Sequence, residues 1–283
     1  MVNRWELYSC LKNILGDSEA DSPEFSARCI MEQAFGSSFP MIMLDRNKPV
    51  PEAEEQACLS MARKRAGGYP LQYILGEWEF FGYRFKVGEG VLIPRPDTET
   101  LVEQVIEICR SNKLESPKIA DLCSGSGCIA VTLKKEIPQA QVYAVELSDK
   151  ALPYIRVNSE LNHADIHIVQ ADVLLEKTAE ESGNLDIIVS NPPYLTGQDM
   201  KCLQTEVAFE PEMALFGGED GLDFYRKITA VWRNSLNSGG YIAFEFGMDQ
   251  HEAVRGILQQ YGFKNIQLSR DTSGIIRTVT AQI

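Results

Sequence analysis

The feature that most narrows the possible folds lies beyond residue 117, where short apolar runs alternate with helical stretches. The strand candidates are Lys118–Leu122, Gln141–Glu146, Ile166–Gln170, Asp186–Ser190, Tyr241–Phe246, Phe263–Leu268 and Ile275–Ala281. Between them, helical patterning marks Cys128–Glu136, Lys150–Leu161, Asp223–Leu236 and Asp249–Tyr261. Strands that alternate with helices predict a parallel sheet, because parallel neighbours need a crossover and helices supply it while covering both faces.

The earlier part of the chain has a different texture. Trp5, Leu7, Tyr8, Leu11, Ile14 and Leu15 fit one helix face, with Gly16 as a stop. Ser22-Pro23-Glu24 offers an N-cap residue, a proline at the first helical position and an acid near the positive end, for a helix running to Phe35-Gly36. Pro51-Glu52-Ala53-Glu54-Glu55 opens another, through Leu59 and Met61 to Gly67-Gly68. A small helical bundle is expected. Trp78 to Val87 is aromatic and partly alternating, with Gly82 near a turn, and predicts a β-hairpin. Val91–Glu99 then leads into a helix from Leu101 to Cys109. The expected division is a helical domain over residues 1–75, a hairpin linker over 76–95 and an α/β domain over 96–283.

Charge and cysteine usage remove several function classes. Lys and Arg number 27 against 40 Asp and Glu, a net charge of −13. Duplex binding calls for clustered cations to neutralise phosphates. The short basic cluster Arg63-Lys64-Arg65 reads instead as a helix's last turn, where cations suit the macrodipole. No direct nucleic-acid partner is expected. Seven scattered cysteines without a CxxC pair argue against a disulfide framework and a structural zinc site. His163 and His167 are spaced for one helix face, but the residues between them read as the approach to a strand, so no metal is expected. There is no apolar run long enough to span a bilayer. Met1 to Gly16 mixes Asn3, Arg4, Glu6 and Lys12 with apolar residues, unlike a signal peptide. A cytoplasmic location without membrane association is the expectation.

A ligand site is expected where the first α/β strand ends. Ile119-Ala120-Asp121-Leu122 runs into Cys123-Ser124-Gly125-Ser126-Gly127 and then a helix, and open α/β sheets bind ligands at the C-terminal ends of their strands. Such a loop alone is equally a tight turn or a dinucleotide site. The next strand ends in Glu146, about twenty residues on, where a carboxylate can accept hydrogen bonds from both ribose hydroxyls. After the third strand, Asp172 can accept from an adenine amino group. These positions define a pocket for an adenosine without pyrophosphate. The acidic chain, with no basic group nearby, suits the cationic sulfonium of S-adenosylmethionine (SAM) better than NAD.

The sharpest motif is Asn191-Pro192-Pro193-Tyr194, directly after the apolar run Asp186–Ser190. Proline fixes its own φ and restricts the residue before it, so Asn191 and Pro192 are held extended and rigid. The Asn191 side-chain oxygen and the Pro192 carbonyl can then accept both hydrogens of a substrate NH₂. A planar amide nitrogen is a weak nucleophile, and paired acceptors stabilise the positive charge that develops on it while aiming it at a methyl donor. Tyr194 would cover the planar group by stacking. Neither a metal nor a covalent intermediate is needed.

With these residues in view, the chain resembles the HemK/PrmC family, protein-(glutamine-N(5)) methyltransferases that act on peptide-chain release factors. The resemblance covers roughly residues 68 to 283. It rests on Pro70–Gly76, Leu92–Glu99, the Gly125/Gly127 loop, Asn191–Tyr194, Phe209–Leu215, Gly239–Glu245, and Arg270-Asp271 with Gly274 and Arg277. Adenine amino-methyltransferases of DNA or RNA share the Asn-Pro-Pro-Tyr tetrad, and the Ile93–Glu99 and Phe209–Leu215 segments separate the two. The resemblance implies a class I SAM-dependent methyltransferase fold, Rossmann-like with a seven-stranded sheet, and a helical N-terminal substrate-recognition domain. It implies SAM contacts from Cys123, Ser124, Gly125, Ser126, Gly127, Glu146, Asp172 and Asn191. It further implies substrate binding and catalysis by Asn191, Pro192 and Tyr194, with Pro193 in the binding set. The substrate would be the glutamine of a Gly-Gly-Gln loop in a release factor, and S-adenosylhomocysteine the product. One departure stands out. The first loop position, often glycine in the family, is Cys123, which requires backbone open to a residue with a Cβ.

Overall fold

The computed structural model describes residues 1–17 and 22–283. Two compact units emerge: Met1–Glu77 with Gln204–Phe209, and Trp78–Leu203 with Glu210–Ile283.

In the first unit, helices α1 (Arg4–Gly16), α2 (Pro23–Phe35), α3 (Phe39–Leu44), α4 (Glu52–Ala66) and α5 (Leu71–Leu75) surround a core that includes Leu7, Leu11, Leu15, Ile30 and Met31. A capping box starts α1: Asn3 Oδ1 accepts from Glu6 N at 2.9 Å and Glu6 Oε2 accepts from Asn3 N at 2.8 Å. Two expectations are corrected. Trp5 stands exposed, because it falls at the edge of the stripe that Leu7, Leu11 and Leu15 bury. Ser22 occupies the N-cap position of α2 in a left-handed conformation without capping through its side chain, while Pro23 does open the helix. Arg63, Lys64 and Arg65 do form the last turn of α4, yet Arg65 is buried and pairs with Glu206. The short α3 and α5 have too few turns to show a period.

The second unit begins with the hairpin of β1 (Glu77–Phe80) and β2 (Tyr83–Lys86). Phe81 and Gly82 both have positive φ (53° and 74°), the two-residue primed turn whose twist suits a hairpin. Phe80 and Phe85 are fully buried in the core beside Val102, Ile119 and Ala144. Next come α6 (Asp97–Ser111), β3 (Lys118–Leu122), α7 (Cys128–Glu136), β4 (Gln141–Glu146), α8 (Leu152–Leu161), β5 (His167–Gln170), α9 (Glu176–Ser182) and β6 (Leu185–Ser190). The unit continues with α10 (Asp223–Trp232), β7 (Leu236–Glu245), α11 (His251–Gln260), β8 (Lys264–Arg270) and β9 (Ile276–Gln282).

Among the described residues these strands form a seven-stranded sheet in the order β5-β4-β3-β6-β7-β9-β8. The pairings from β5 through β7 are parallel, and β9 runs antiparallel between β7 and β8. Successive side chains leave opposite faces of a strand. Ile119, Ala144 and Ile187 enter one core, while Ala120, Val145 and Ile188 enter the other. Burial on both faces explains why these strands read as continuous apolar runs. The chain turns left from β3 to β4 and resumes on the other side at β6, so a topological switch point lies between β3 and β6.

The expected strands are present, with one large boundary error. β7 starts at Leu236 rather than Tyr241: Leu236 pairs with Leu185, and Asn237-Ser238-Gly239-Gly240, which carries no strand pattern, forms an irregularity before regular pairing resumes at Tyr241 with Ile187. α10 ends at Trp232, followed by a 3₁₀ turn over Arg233–Ser235. His167 lies in β5, stacked on Tyr143 with ring centroids 4.7 Å apart. Among the described residues, no group of His, Cys, Asp and Glu is placed to hold a metal, and no helix is long and apolar enough to cross a membrane.

Candidate active site

A cavity opens at the C-terminal ends of the parallel strands. Cys123, Ser124, Gly125, Ser126, Glu146 and Asp172 line one part of it, and Asn191 and Pro193 another. Each stands at or just after the end of a strand: β3, β4, β5 or β6.

The loop after β3 is shaped by alternating left-handed residues, with φ of 61° at Cys123, 55° at Gly125 and 79° at Gly127. Cys123 therefore sits where a Cβ is tolerated but disfavoured, so the requirement set by the missing glycine is met only marginally. Its thiol is pushed well above its usual range, first by burial and then by Glu146 and Asp121, which disfavours the thiolate. At Gly127, the last of the three, a Cβ would meet Ile155 Cγ2 at 3.1 Å, so this glycine also lets α7 pack closely against α8.

Glu146 is buried, and both carboxylate oxygens are in use. Oε2 accepts from Gly125 N and Oε1 from Ser148 N, each at 2.8 Å. It thus clamps the glycine loop and retains lone pairs towards the cavity. Asp172 closes a local turn, Oδ1 accepting from Leu174 N at 2.8 Å.

Asp121 lies beneath the loop and is fully buried. Oδ2 accepts from Ser124 Oγ (2.7 Å) and Ala130 N (3.2 Å), while Oδ1 has no partner. Burial pushes its carboxyl up to about 7, against those two hydrogen bonds. A folded-state value above the unfolded one means that the native form keeps a proton the unfolded chain releases. The stability so contributed is full below about pH 4 and is lost as pH rises towards 7. Asp121→Asn, which keeps an acceptor for Ser124 and Ala130, is expected to exceed wild type in stability at pH 8 by on the order of 3 kcal/mol. The gain should vanish near pH 4. Urea denaturation at both pH values checks this, and equal differences at the two would mean an ordinary carboxyl.

At the end of β6, Asn191 Nδ2 donates to Thr98 Oγ1 at 3.2 Å. Asn191 Oδ1 is buried and has no hydrogen-bond partner. An orphaned buried acceptor is uncommon in native proteins, and this one belongs to a residue of the cavity wall, where a ligand can supply the donor. Pro192 and Pro193 are buried; Pro192 and Tyr194 lie outside the lining. The Tyr194 carbonyl accepts from Gln250 Nε2 at 3.0 Å, and burial, followed by the Glu245 charge, holds its phenol protonated. Two further segments wall the cavity. Buried Glu210 accepts from Ile93 N at 3.0 Å and pairs with Arg95, which pins the 91–95 segment to the one containing Pro211 and Met213.

Three residues near this site were not anticipated as functional: Asp121, Thr98 and Glu245. Glu245 carries a legible signal, an acid closing an apolar strand as Glu146 does. Thr98 carries none, since its contact with Asn191 joins residues 93 apart in sequence.

Solved structures share this architecture. A methyltransferase from Pyrococcus furiosus superposes with a TM-score of 0.53 at 17% identity, covering 72% of this chain and 90% of that one. The T. thermophilus 16S rRNA N2 G1207 methyltransferase, solved with AdoMet and guanosine, gives 0.52 at 18%, covering 73% and 49%. Residues 97–213 match the methyltransferase small domain family. Sheet order, strand-end cavity and these likenesses define a class I SAM-dependent methyltransferase.

Residues 6–76 match the PrmC N-terminal domain family. The Geobacter sulfurreducens release factor glutamine methyltransferase is 37% identical over 273 residues, covering 96% of this chain and 94% of its own. The Chlorobaculum tepidum protein of the same name is 35% identical over 283 residues, covering 96% of both. The chain belongs to the release factor glutamine methyltransferase family.

Proposed function

We propose that the protein methylates the side-chain amide nitrogen of the glutamine in a Gly-Gly-Gln loop of peptide-chain release factors, using SAM and leaving S-adenosylhomocysteine, and so supports translation termination. The observation that carries this reading is the buried Asn191 Oδ1 with no partner at the cavity wall. A carboxamide NH₂ offers the donor this atom lacks.

Cys123 to Ser126, Glu146 and Asp172 suit the SAM side: a tightly turned backbone cradle, a carboxylate for the ribose hydroxyls and an acid for the adenine amine. When bound, SAM supplies an electrophilic methyl on a sulfonium. Asn191 Oδ1 and the Pro192 carbonyl take the two hydrogens of the glutamine NH₂. They thereby hold the nitrogen's lone pair towards the donor side and stabilise its growing positive charge. Preorganised dipoles of this kind need no rearrangement during reaction, and the two prolines keep them in place. Pro193 shapes the wall and Tyr194 contributes its ring against the planar amide. Residues 6–76, matched to the PrmC N-terminal domain, help to hold the protein substrate. The cytoplasm is the compartment this reading assigns.

Labelled SAM, incubated with the enzyme and purified release factors and followed by mass mapping, is expected to place the methyl on the Gly-Gly-Gln glutamine. Label confined to nucleic acid would overturn the proposal in favour of an adenine amino-methyltransferase. Glu146→Ala is expected to weaken SAM binding by about 1.5–3 kcal/mol, the range for hydrogen bonds to a charged group. An unchanged Kd by calorimetry would move the ribose site elsewhere.

A further inference from the structure

Behind the cavity wall, the ends of β7, α6 and β6 bring together Glu245, Thr98 and Asn191. Glu245 is only 2% exposed, and its Oε2 has no hydrogen-bond partner. Hydrogen bonding from the Thr98 and Asn191 side chains favours its charged form. Asn191 Nδ2 also donates to Thr98 Oγ1.

The two ends of a carboxamide have almost the same shape, so the neighbours decide which end faces the cavity. An ionised carboxylate only accepts. The pairing of Ser190 with Phe244 sets Asn191 next to Glu245 at the strand ends, so a side chain that turns to this carboxylate must present a donor: Nδ2 from Asn191, the hydroxyl proton from Thr98. With that proton committed, the Thr98 oxygen is left to accept, and it accepts from Nδ2 as well. Every partner on this side asks for the NH₂ end, which leaves Oδ1 turned to the cavity.

We propose that Glu245, acting with Thr98, is the positioning residue that fixes the Asn191 carboxamide with its oxygen towards the substrate nitrogen. The proposal rests on the role given to Asn191 above, and it makes the orientation depend on pH. A protonated Glu245 carries a donor, and the bias on the carboxamide is removed. Burial pushes the Glu245 carboxyl up to about 7, opposed by hydrogen bonding from Thr98, raised further by the Asp97 charge, and lowered by Arg277 and Asn191.

Other ionisable groups surround it. Tyr194, Tyr225 and Cys128 are pushed above their usual values by burial, and the Tyr225 hydroxyl donates to the Glu245 backbone carbonyl at 2.8 Å. Arg277 lies between Asp271 (3.4 Å) and Asp97 (3.8 Å). Asp121 also titrates near 7, so an acid limb in the rate does not by itself identify Glu245.

The test follows the Asn191 side-chain NH₂ resonances by ¹⁵N NMR in the full-length enzyme, assigned with Asn191→Ser, between about pH 5.5 and 8.5. Wild type should show a titration with its midpoint near 7, and Glu245→Gln should abolish it. With a Gly-Gly-Gln peptide, Glu245→Gln and Thr98→Val should each lower kcat about tenfold at pH 8, with KM nearly unchanged. The share of the acid limb due to Glu245 should vanish in Glu245→Gln. Asn191 resonances that ignore pH in wild type would overturn the proposal without any variant having to fold. So would a Glu245→Gln enzyme with the wild-type midpoint. An Asn191 titration in an enzyme that leaves the peptide unmethylated would sink the substrate assignment and leave the positioning role standing.

Discussion

Replacing Asn191 with alanine is expected to lower kcat on a release-factor substrate by about 2–4 kcal/mol in barrier, roughly thirty- to a thousandfold, with SAM affinity changed far less. The size follows from removing one preorganised, buried acceptor from the site. Such an interaction strengthens as charge appears on the nitrogen, so the loss falls on kcat more than on KM. The wild-type fold already carries the cost of the unpartnered Oδ1. Truncation removes that cost, and thermal stability should not fall with activity. Steady-state kinetics with calorimetric SAM titration separate the two effects. Unchanged turnover would remove Asn191 from the mechanism.

Gly217→Ala is expected to cost a comparable amount of activity from outside the cavity lining. A Cβ at Gly217 would stand 2.6 Å from the Pro193 carbonyl oxygen and 2.7 Å from Tyr194 Cα, both backbone atoms that cannot swing aside. The same stretch is tied to the tetrad's continuation, with Leu195 N donating to the Leu215 carbonyl at 2.8 Å and Gly217 N to the Leu195 carbonyl at 2.9 Å. The methyl group must therefore displace the Pro193-Tyr194 backbone, and with it the acceptors at Asn191 and Pro192. A misplacement of about 1 Å in a positioned site can lower rate about a hundredfold. SAM binding, which the proposal assigns to the loops after β3 and β4, should persist. A variant with full activity would show that the tetrad tolerates movement, contrary to the rigidity ascribed to its prolines.

How much of this was readable in sequence varies with the range of the interactions involved. β3, β4 and α7 were legible to their boundaries, because an apolar run meets a glycine loop and a helix follows at once. The start of β7 was not, since Asn237 to Gly240 form an irregularity between the Leu185–Leu236 and Ile187–Tyr241 pairs and carry no strand pattern of their own. α9 is nearly all polar and buries only Thr178 and Ala179, too little for a periodic signal. In the site, Glu146, Asp172 and Asn191 could be found because each ends a parallel strand, and strand ends converge. Thr98 and Glu245 reach Asn191 from distant segments, and that proximity is a product of the sheet order. The Oδ1 without a partner was equally invisible, being a property of the packed molecule.

The place of β9 between β7 and β8 bears on how the molecule is made. A growing polypeptide releases β8 before the strand that joins it to the sheet. Until Ile276–Gln282 emerge, β7 presents an open antiparallel edge, and Arg277 is not yet beside Asp97. Open edges of this kind recruit other chains. A chain truncated after Arg270 should therefore aggregate readily, although every loop that lines the strand-end cavity is present in it.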